Sequence, residues 1–237
     1  MSNDNNQKNL IERAVDFHKN GQINKAFNLY LELIKTEENN PQLLFLLGTA
    51  CVQLEKTEQG INYLERSLSI KPDNASAHSN LGNALKNLNR YEEALTSFDK
   101  AINLNPNFAD AYSNRGVILQ EMKRYDEALQ SYDKAIKINP NHFFSHGNRG
   151  ITLKDLNRYD EALNSYDRAI EINPNFIEAY NNKGNALKDL KRYEEALYNY
   201  RKVFDLKPEY EYNLGRVLHF SMIICDWSNY NKLNEKI

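Results

Sequence analysis

Apolar and small residues return along most of this chain at helical spacing, break at a proline, and then begin again. The stretch Asn89–Asn107, Asn-Arg-Tyr-Glu-Glu-Ala-Leu-Thr-Ser-Phe-Asp-Lys-Ala-Ile-Asn-Leu-Asn-Pro-Asn, shows the unit. It returns at Lys123–Asn141, at Asn157–Asn175 and, more loosely, at Lys191–Glu209. Inside it Ala94, Phe98 and Ala101 stand four and three residues apart, the spacing of one helix face. Gly82, Gly116, Gly150 and Gly184 follow one another at intervals of 34 residues, as do Pro72, Pro106, Pro140, Pro174 and Pro208. A period of this length with helical patterning predicts stacked helix pairs, each burying its apolar face against its neighbours.

The first helix of each repeat is expected to run to Leu88, Met122, Leu156 or Leu190. A short turn carrying Arg90, Arg124, Arg158 or Arg192 follows. The second helix opens on acidic residues such as Glu92 and Glu93 and closes near Lys100, Lys134, Arg168 and Lys202, which complements the helix dipole. Each proline lacks the N–H that another helical turn requires, so it ends the second helix. The repeats are read as 7–40, 41–74, 75–108, 109–142, 143–176 and 177–210, after a disordered tail at 1–6. The first is degenerate, with Ala14 in place of the glycine and Ala26 and Tyr30 in phase. Beyond Tyr210 the register is expected to change, because Asn213-Leu214-Gly215 repeats the earlier Asn-x-Gly only 31 residues after Gly184. Pro208–Phe220 is read as the first helix of an altered unit, and 211–237 as a C-terminal cap or junction.

These residues resemble the tetratricopeptide repeat. The glycines, then Ala94, Ala128, Ala162 and Ala196, then Phe98, Tyr132, Tyr166 and Tyr200, then Ala101, Ala135 and Ala169, and the prolines carry the resemblance. It implies an all-α, right-handed superhelical solenoid of antiparallel helix pairs. Gly116, Ala128 and Ala135 would be small because paired helices approach closely, where a larger side chain overpacks by roughly 1–3 kcal/mol. Tyr125 and Tyr132 would fill the wider gap toward the neighbouring repeat.

The resemblance also gives one side of the first helix a role, as the lining of a concave groove. That side carries Asn80, Asn114, Asn148 and Asn182 two residues before each glycine, with Asn213 in the altered unit. An asparagine amide donates and accepts, so it can hold a peptide bond whatever the side chain beside it. First helices about 10 Å apart and a peptide rising about 3.3 Å per residue would give one amide to every third residue. The bland alternative is that the chain is rich in asparagine throughout. Beside the rungs Asp110, Asp155 and Asp189, with Glu121 and Glu178, make the face acidic, and Val117, Ile151 and Phe144 form a small apolar spot. Capture of a terminal carboxylate, as in chaperone-binding members, is excluded on sequence grounds. The equivalent places hold Ser79, Asn83, Val117, Glu121, Ile151, Asp155, Asn185 and Asp189, with no Lys or Arg.

Composition changes this picture little. A net charge of −2 offers no basic footprint for nucleic acid. The start is polar and unlike a signal peptide, and the longest apolar run, Val217–Cys225, is too short to span a bilayer. Two cysteines give no disulfide framework, and Cys51 takes a core leucine's place. The expected setting is cytoplasmic. No phosphate loop, paired Cys motif or nucleophile motif occurs, and His78 and His146 stand where Tyr112 and Tyr180 stand. No catalytic residue, metal site or cofactor is expected, and the chain alone is not expected to be an enzyme.

The expected function is a protein-interaction scaffold that binds an extended polypeptide segment, with no nucleic acid and no membrane as partner. A second resemblance supplies an alternative. Leu214-Gly215-Arg216-Val217-Leu218-His219, with Met222 and Cys225-Asp226-Trp227, is similar to the junction between repeats and catalytic region in O-GlcNAc transferase-like, SPINDLY-like glycosyltransferases of family 41. It implies a substrate-recognition part whose catalytic lobes are absent from this chain. The asparagine ladder resembles that family too. A third reading is an assembly adaptor working through the convex face. The apolar segment 221–237, with Met222, Ile223, Ile224 and Trp227, is expected either to self-associate or to join a missing catalytic domain.

Overall fold

A computed structural model describes residues 2–208 and 211–224, with side chains from 9 to 208 and from 215 to 224. Its described residues form helices and no strand. Two compact units divide the chain, Met1–Ile118 and Leu119–Ile237. The first holds α1 (Ser2–Lys19), α2 (Ile23–Ile34), α3 (Pro41–Gln53), α4 (Thr57–Ile70), α5 (Ala75–Asn87), α6 (Tyr91–Leu104) and most of α7 (Ala109–Glu121). The second holds α8 (Tyr125–Ile138), α9 (Phe143–Asp155), α10 (Tyr159–Ile172), α11 (Ile177–Asp189), α12 (Tyr193–Leu206) and α13 (Glu211–Ile223). Within each unit a helix packs on its pair partner and then on the next pair, the pattern of a tetratricopeptide solenoid.

The turn inside each pair is the same everywhere. Gly21, Glu55, Asn89, Lys123, Asn157 and Lys191 all have positive φ and recur at the repeat period. Each follows the end of a first helix and closes a double hydrogen-bonded cap. At one of them Asn89 N donates to Lys86 O (2.9 Å) and Arg90 N to Leu85 O (3.0 Å). Only Gly21 adopts that conformation without steric cost. The following arginine then clamps the start of the second helix: Arg90 holds Glu93, Arg124 holds Glu127, Arg158 holds Glu161 and Arg192 holds Glu195, each through two nitrogens. The guanidinium holds the carboxyls of Glu93, Glu161 and Glu195 below the usual glutamate range.

Glycine sets the distance between the helices of a pair. A Cβ on Gly82 would lie 2.8 Å from the Phe98 ring, on Gly150 2.6 Å from Tyr166, on Gly184 2.7 Å from Tyr200, and on Gly48 2.8 Å from Leu64. This corrects the expected direction of the second-helix aromatics. Phe98, Tyr166 and Tyr200 lie over the glycine of their own repeat, and Tyr132 donates its hydroxyl to Gln120 (3.2 Å), also in its own repeat. The ring fills the hole that the missing Cβ leaves, rather than the gap to the next repeat.

Successive repeats are also joined by charge. Arg115 pairs with Asp99 (2.7 Å), Arg149 with Asp133 (2.7 Å) and Lys183 with Asp167. Each base lies just before the in-phase glycine of a first helix, and each acid lies on the second helix of the preceding repeat.

The two ends depart from expectation. α1 begins at Ser2, inside the stretch expected to be a disordered tail; once Ala14 and its neighbours are packed, each further residue adds one hydrogen bond at little cost. At the other end the buried Phe220 and Ser221 follow the buried Ala186 and Leu187 by 34 residues, so the register does not shift. The in-phase partner of Gly184 is Leu218, half-buried against the core, whereas nothing lies within 4 Å of a Cβ on the exposed Gly215. The helix also runs on through Ser221, Met222 and Ile223.

These contacts separate two glycine substitutions of identical chemistry. Gly150→Ala should destabilise the protein by about 1–3 kcal/mol despite alanine's better helix propensity. Gly215→Ala should stabilise it by about 0.5–1 kcal/mol. Urea unfolding of both variants checks this, and shifts of the same sign would disprove the assigned packing.

Candidate functional site

Two residues before the glycine, a first-helix side chain points away from the paired helix, yet it is not fully in solvent. Asn80, Asn114, Asn148 and Asn182 are all half-buried there. Asn80 donates to Thr49 Oγ1 at 2.9 Å, so in the first unit one rung ties α5 to α3. Asn80 therefore has a use within the packing of the first unit. Among the described residues the side chains of Asn114, Asn148 and Asn182 make no hydrogen bond. Elsewhere the chain's asparagines have structural uses. Asn40 and Asn74 cap α3 and α5, and Asn105, Asn139 and Asn173 accept from the backbone two residues on. Those uses remove much of the composition-only reading, but only for the residues that have them.

In the first unit Asp110 is exposed near the start of α7 and Val117 is half-buried. In the second unit α9 and α11 are direct neighbours. They carry Asn148 and Asn182, and Asp155 and Asp189 are exposed at their C-terminal ends. Ile151 is half-buried and packs against the core, which limits what it can offer a ligand. Phe144 is different. It is 53% exposed, yet its ring lies 4.1 Å from Phe143 and 5.6 Å, edge-on, from Phe176. An exposed aromatic held in place by two others is a preorganised apolar contact.

Asn213 does not continue the ladder. Because α13 keeps the 34-residue register, Asn213 is in phase with Ala179, and the rung position falls on Arg216. Arg216 Nη1 donates to Asn181 Oδ1 (2.6 Å), and the guanidinium lies over the Tyr200 ring. The side chain of Asn213, and all of Cys225, Asp226 and Trp227, lie outside the described residues. Met222 and Ile223 are exposed, whereas Ile224 packs against the core.

Two features escaped the sequence reading. His78 donates from Nε2 to the Pro72 carbonyl (2.9 Å), and His146 does the same to Pro140 (3.0 Å). They are fasteners of the inter-repeat turn rather than fillers. Burial pushes both imidazoles below their usual pKa against the opposing effect of their hydrogen bonds to Pro72 and Pro140, and nearby cations add to the depression: Lys100 at His78, and Arg168 and Arg149 at His146. The other missed feature is the ladder of ion pairs, whose signal was present as Asp99, Asp133 and Asp167 recurring with Arg115, Arg149 and Lys183.

Family models described as tetratricopeptide repeat or TPR repeat match residues 48–89, 82–123, 109–142, 131–164, 150–191 and 177–210, without a gap from 48 to 210. No curated protein sequence matches the chain. Among solved structures, MamA is 25% identical with a TM-score of 0.61, over 67% of this chain and 93% of that one. YrrB, described as a TPR protein with an unusual peptide-binding site, is 21% identical with a TM-score of 0.60, over 78% and 96%. The pilF protein of Pseudomonas aeruginosa is 16% identical with a TM-score of 0.77, over 94% and 99%. Among the described residues no helix is long and apolar enough to cross a membrane.

The depressed histidines predict an acid-sensitive fold. Below the unfolded pKa near 6.5 the unfolded chain binds protons that the folded imidazoles resist. Their stabilisation is therefore present above that pH and lost as pH falls toward 5. The arginine-held glutamates lose theirs only at lower pH, below about 4.5. Urea midpoints should drop between pH 7 and 5 in the wild type and much less in His78→Gln with His146→Gln. Parallel pH curves would remove the histidines from the explanation.

Proposed function

The chain belongs to the tetratricopeptide repeat family, and we propose that it is a protein-interaction scaffold that holds an extended polypeptide segment on the asparagine-bearing face of its first helices. The observation that carries this is the set of half-buried, unpaired amides at one helix position, Asn114 in the first unit and Asn148 and Asn182 in the second. A half-buried amide without a partner loses part of its hydration and gains nothing from the fold. A peptide backbone would satisfy it at roughly 0.5–1.5 kcal/mol per bond. In the second unit Phe144 supplies the apolar anchor, and Asp155 and Asp189 favour segments with Lys, Arg, Ser or Thr. That YrrB is described with a peptide-binding site is in keeping with this use of the fold. A cytoplasmic setting goes with the reading.

As a second reading the same face serves substrate recognition in a family 41 glycosyltransferase. That reading rests on the resemblance of the Leu214–His219, Met222 and Cys225–Trp227 segment and of the asparagine ladder, and takes no support from the matched models, which describe the repeat itself. Met222 and Ile223, 60% and 45% exposed, are the described part of the surface we assign to self-association.

Asn148→Ala with Asn182→Ala should release polypeptides that the wild type retains from a lysate, quantified by mass spectrometry. Each lost contact should weaken binding by about 0.5–1.5 kcal/mol without changing the melting temperature. Phe144→Ala should weaken binding further. An unchanged set of retained proteins in both variants removes this face from the argument.

Self-association has its own measurement. Sedimentation of the wild type should show a concentration-dependent species that Met222→Lys with Ile223→Lys abolishes. A wild type that stays monomeric at every concentration ends that assignment.

A further inference from the structure

At Leu81 the ion-pair ladder loses its base but keeps its acid, Glu65, and a cavity lies there. At the repeat joint in the second unit, Arg149 donates from Nε to Asp133 (2.7 Å) and from Nη1 to the Ser165 hydroxyl (2.7 Å). His146 lies near enough to feel both Arg149 and Arg168. Two repeats earlier in sequence, the residues in phase with Asp133, His146, Ser165 and Arg168 are Glu65, His78, Ser97 and Lys100. The residue in phase with Arg149 is Leu81. The first unit therefore keeps the acceptors of this joint and lacks its cation. Between α4, α5 and α6 it has instead an open cavity of about 590 Å³, lined by Glu65, Leu68, His78, Leu81, Ser97 and Lys100 among others.

The parts of the cradle are in working condition. Glu65 is exposed and makes no ion pair among the described residues; Arg90, the cation that acts on it, is clamped to Glu93. The Ser97 hydroxyl donates to the Glu93 carbonyl (3.0 Å), as Ser165 donates to Glu161 (2.9 Å). Each keeps its lone pairs for an incoming donor. His78 is held on Pro72 as His146 is on Pro140. Lys100 takes the place of Arg168, which pairs with Glu171 (2.9 Å); Asn103 stands in phase with Glu171, so the exposed Lys100 ammonium turns to solvent when a guanidinium enters.

We propose that this cavity receives an arginine side chain from a partner polypeptide, which completes in trans the joint that Arg149 completes in cis. Arginine is preferred to lysine by the number of acceptors. Where the hydroxyl is present, as at Ser165, the chain itself uses arginine. Where Asn199 replaces it, with Nδ2 donating to the Glu195 carbonyl (2.8 Å), the chain uses Lys183 on Asp167. A guanidinium reaches a carboxylate and a hydroxyl with two nitrogens fixed in one plane, which an ammonium cannot. Leu68 and the 44% exposed Leu104 on the cavity wall favour apolar residues flanking the arginine. This surface is separate from the asparagine face, and either can fail without the other.

The probe is N-acetyl-arginine amide, titrated into the isotope-labelled full chain and followed by NMR. Saturable shifts are expected at Leu68, His78, Leu81 and Ser97 in the millimolar range. The citrulline analogue, equal in shape and uncharged, should bind about tenfold more weakly. Glu65→Gln, on an exposed side chain, should abolish the shifts. Leu81→Arg should abolish them too and raise the melting temperature, by filling the cradle from within. Shifts that never saturate, that persist in Glu65→Gln, or that citrulline reproduces equally would overturn the proposal.

Discussion

The contact between a first-helix glycine and the second-helix side chain laid over it is the constraint from which the rest of the repeat follows. A glycine in the middle of a helix costs roughly 0.5–1 kcal/mol relative to alanine. Burying a phenylalanine-sized ring contributes about 1.5–3 kcal/mol. The exchange favours the fold only if the ring lies flush on the helix, as at Gly82, Gly150 and Gly184. Helix separation is then fixed by that contact. Ala94, Ala128, Ala162 and Ala196 must be small as well, and all four are fully buried. The left-handed turn between the helices has one geometry to satisfy, which explains why Glu55, Lys123 and Lys191 tolerate positive φ. A strained residue persists where the surroundings determine it.

That contact also explains what could and could not be read from the sequence. Helix boundaries and the 34-residue period were legible because glycine, alanine, aromatic and proline recur in step, each with a steric reason. The direction of Tyr132 was not, because periodicity places a residue on a face without saying which neighbour it meets. The register of α13 was misread for a related reason. Asn213-Leu214-Gly215 imitates the earlier Asn-x-Gly, but a glycine marks phase only where a side chain lies over it, and nothing does at Gly215. The buried positions are the sounder guide, since Phe220 and Ser221 follow Ala186 and Leu187 by one full period.

The candidate site was legible in part. The helix position of the asparagines can be derived from the repeat, but their hydrogen bonds cannot. Asn80 is engaged by Thr49, a residue that no later repeat has in phase: Asn83, Val117, Ile151 and Asn185 stand there instead. The stiffness of Phe144 depends on Phe143 and on Phe176, the latter a full repeat away. The histidine fasteners were hidden because their acceptors are backbone carbonyls.

In a chain built from one motif, agreement with the motif specifies the fold and carries little about partners. Departures from it cost packing or pairing that neighbouring repeats have, so each asks for a compensation that the fold does not supply. Phe144 replaces the acidic residue found at Asp110 and Glu178, and exposes an aromatic ring that solvent does not favour. Leu81 replaces the base found at Arg115, Arg149 and Lys183, and leaves Glu65 facing a cavity. The two lie on different surfaces of different units, and their chemistry differs, one apolar and one acidic. A ligand that compensates the first need not touch the second. The specific surfaces of this protein are therefore sought where the period is broken, and the repeat's regularity makes those breaks measurable.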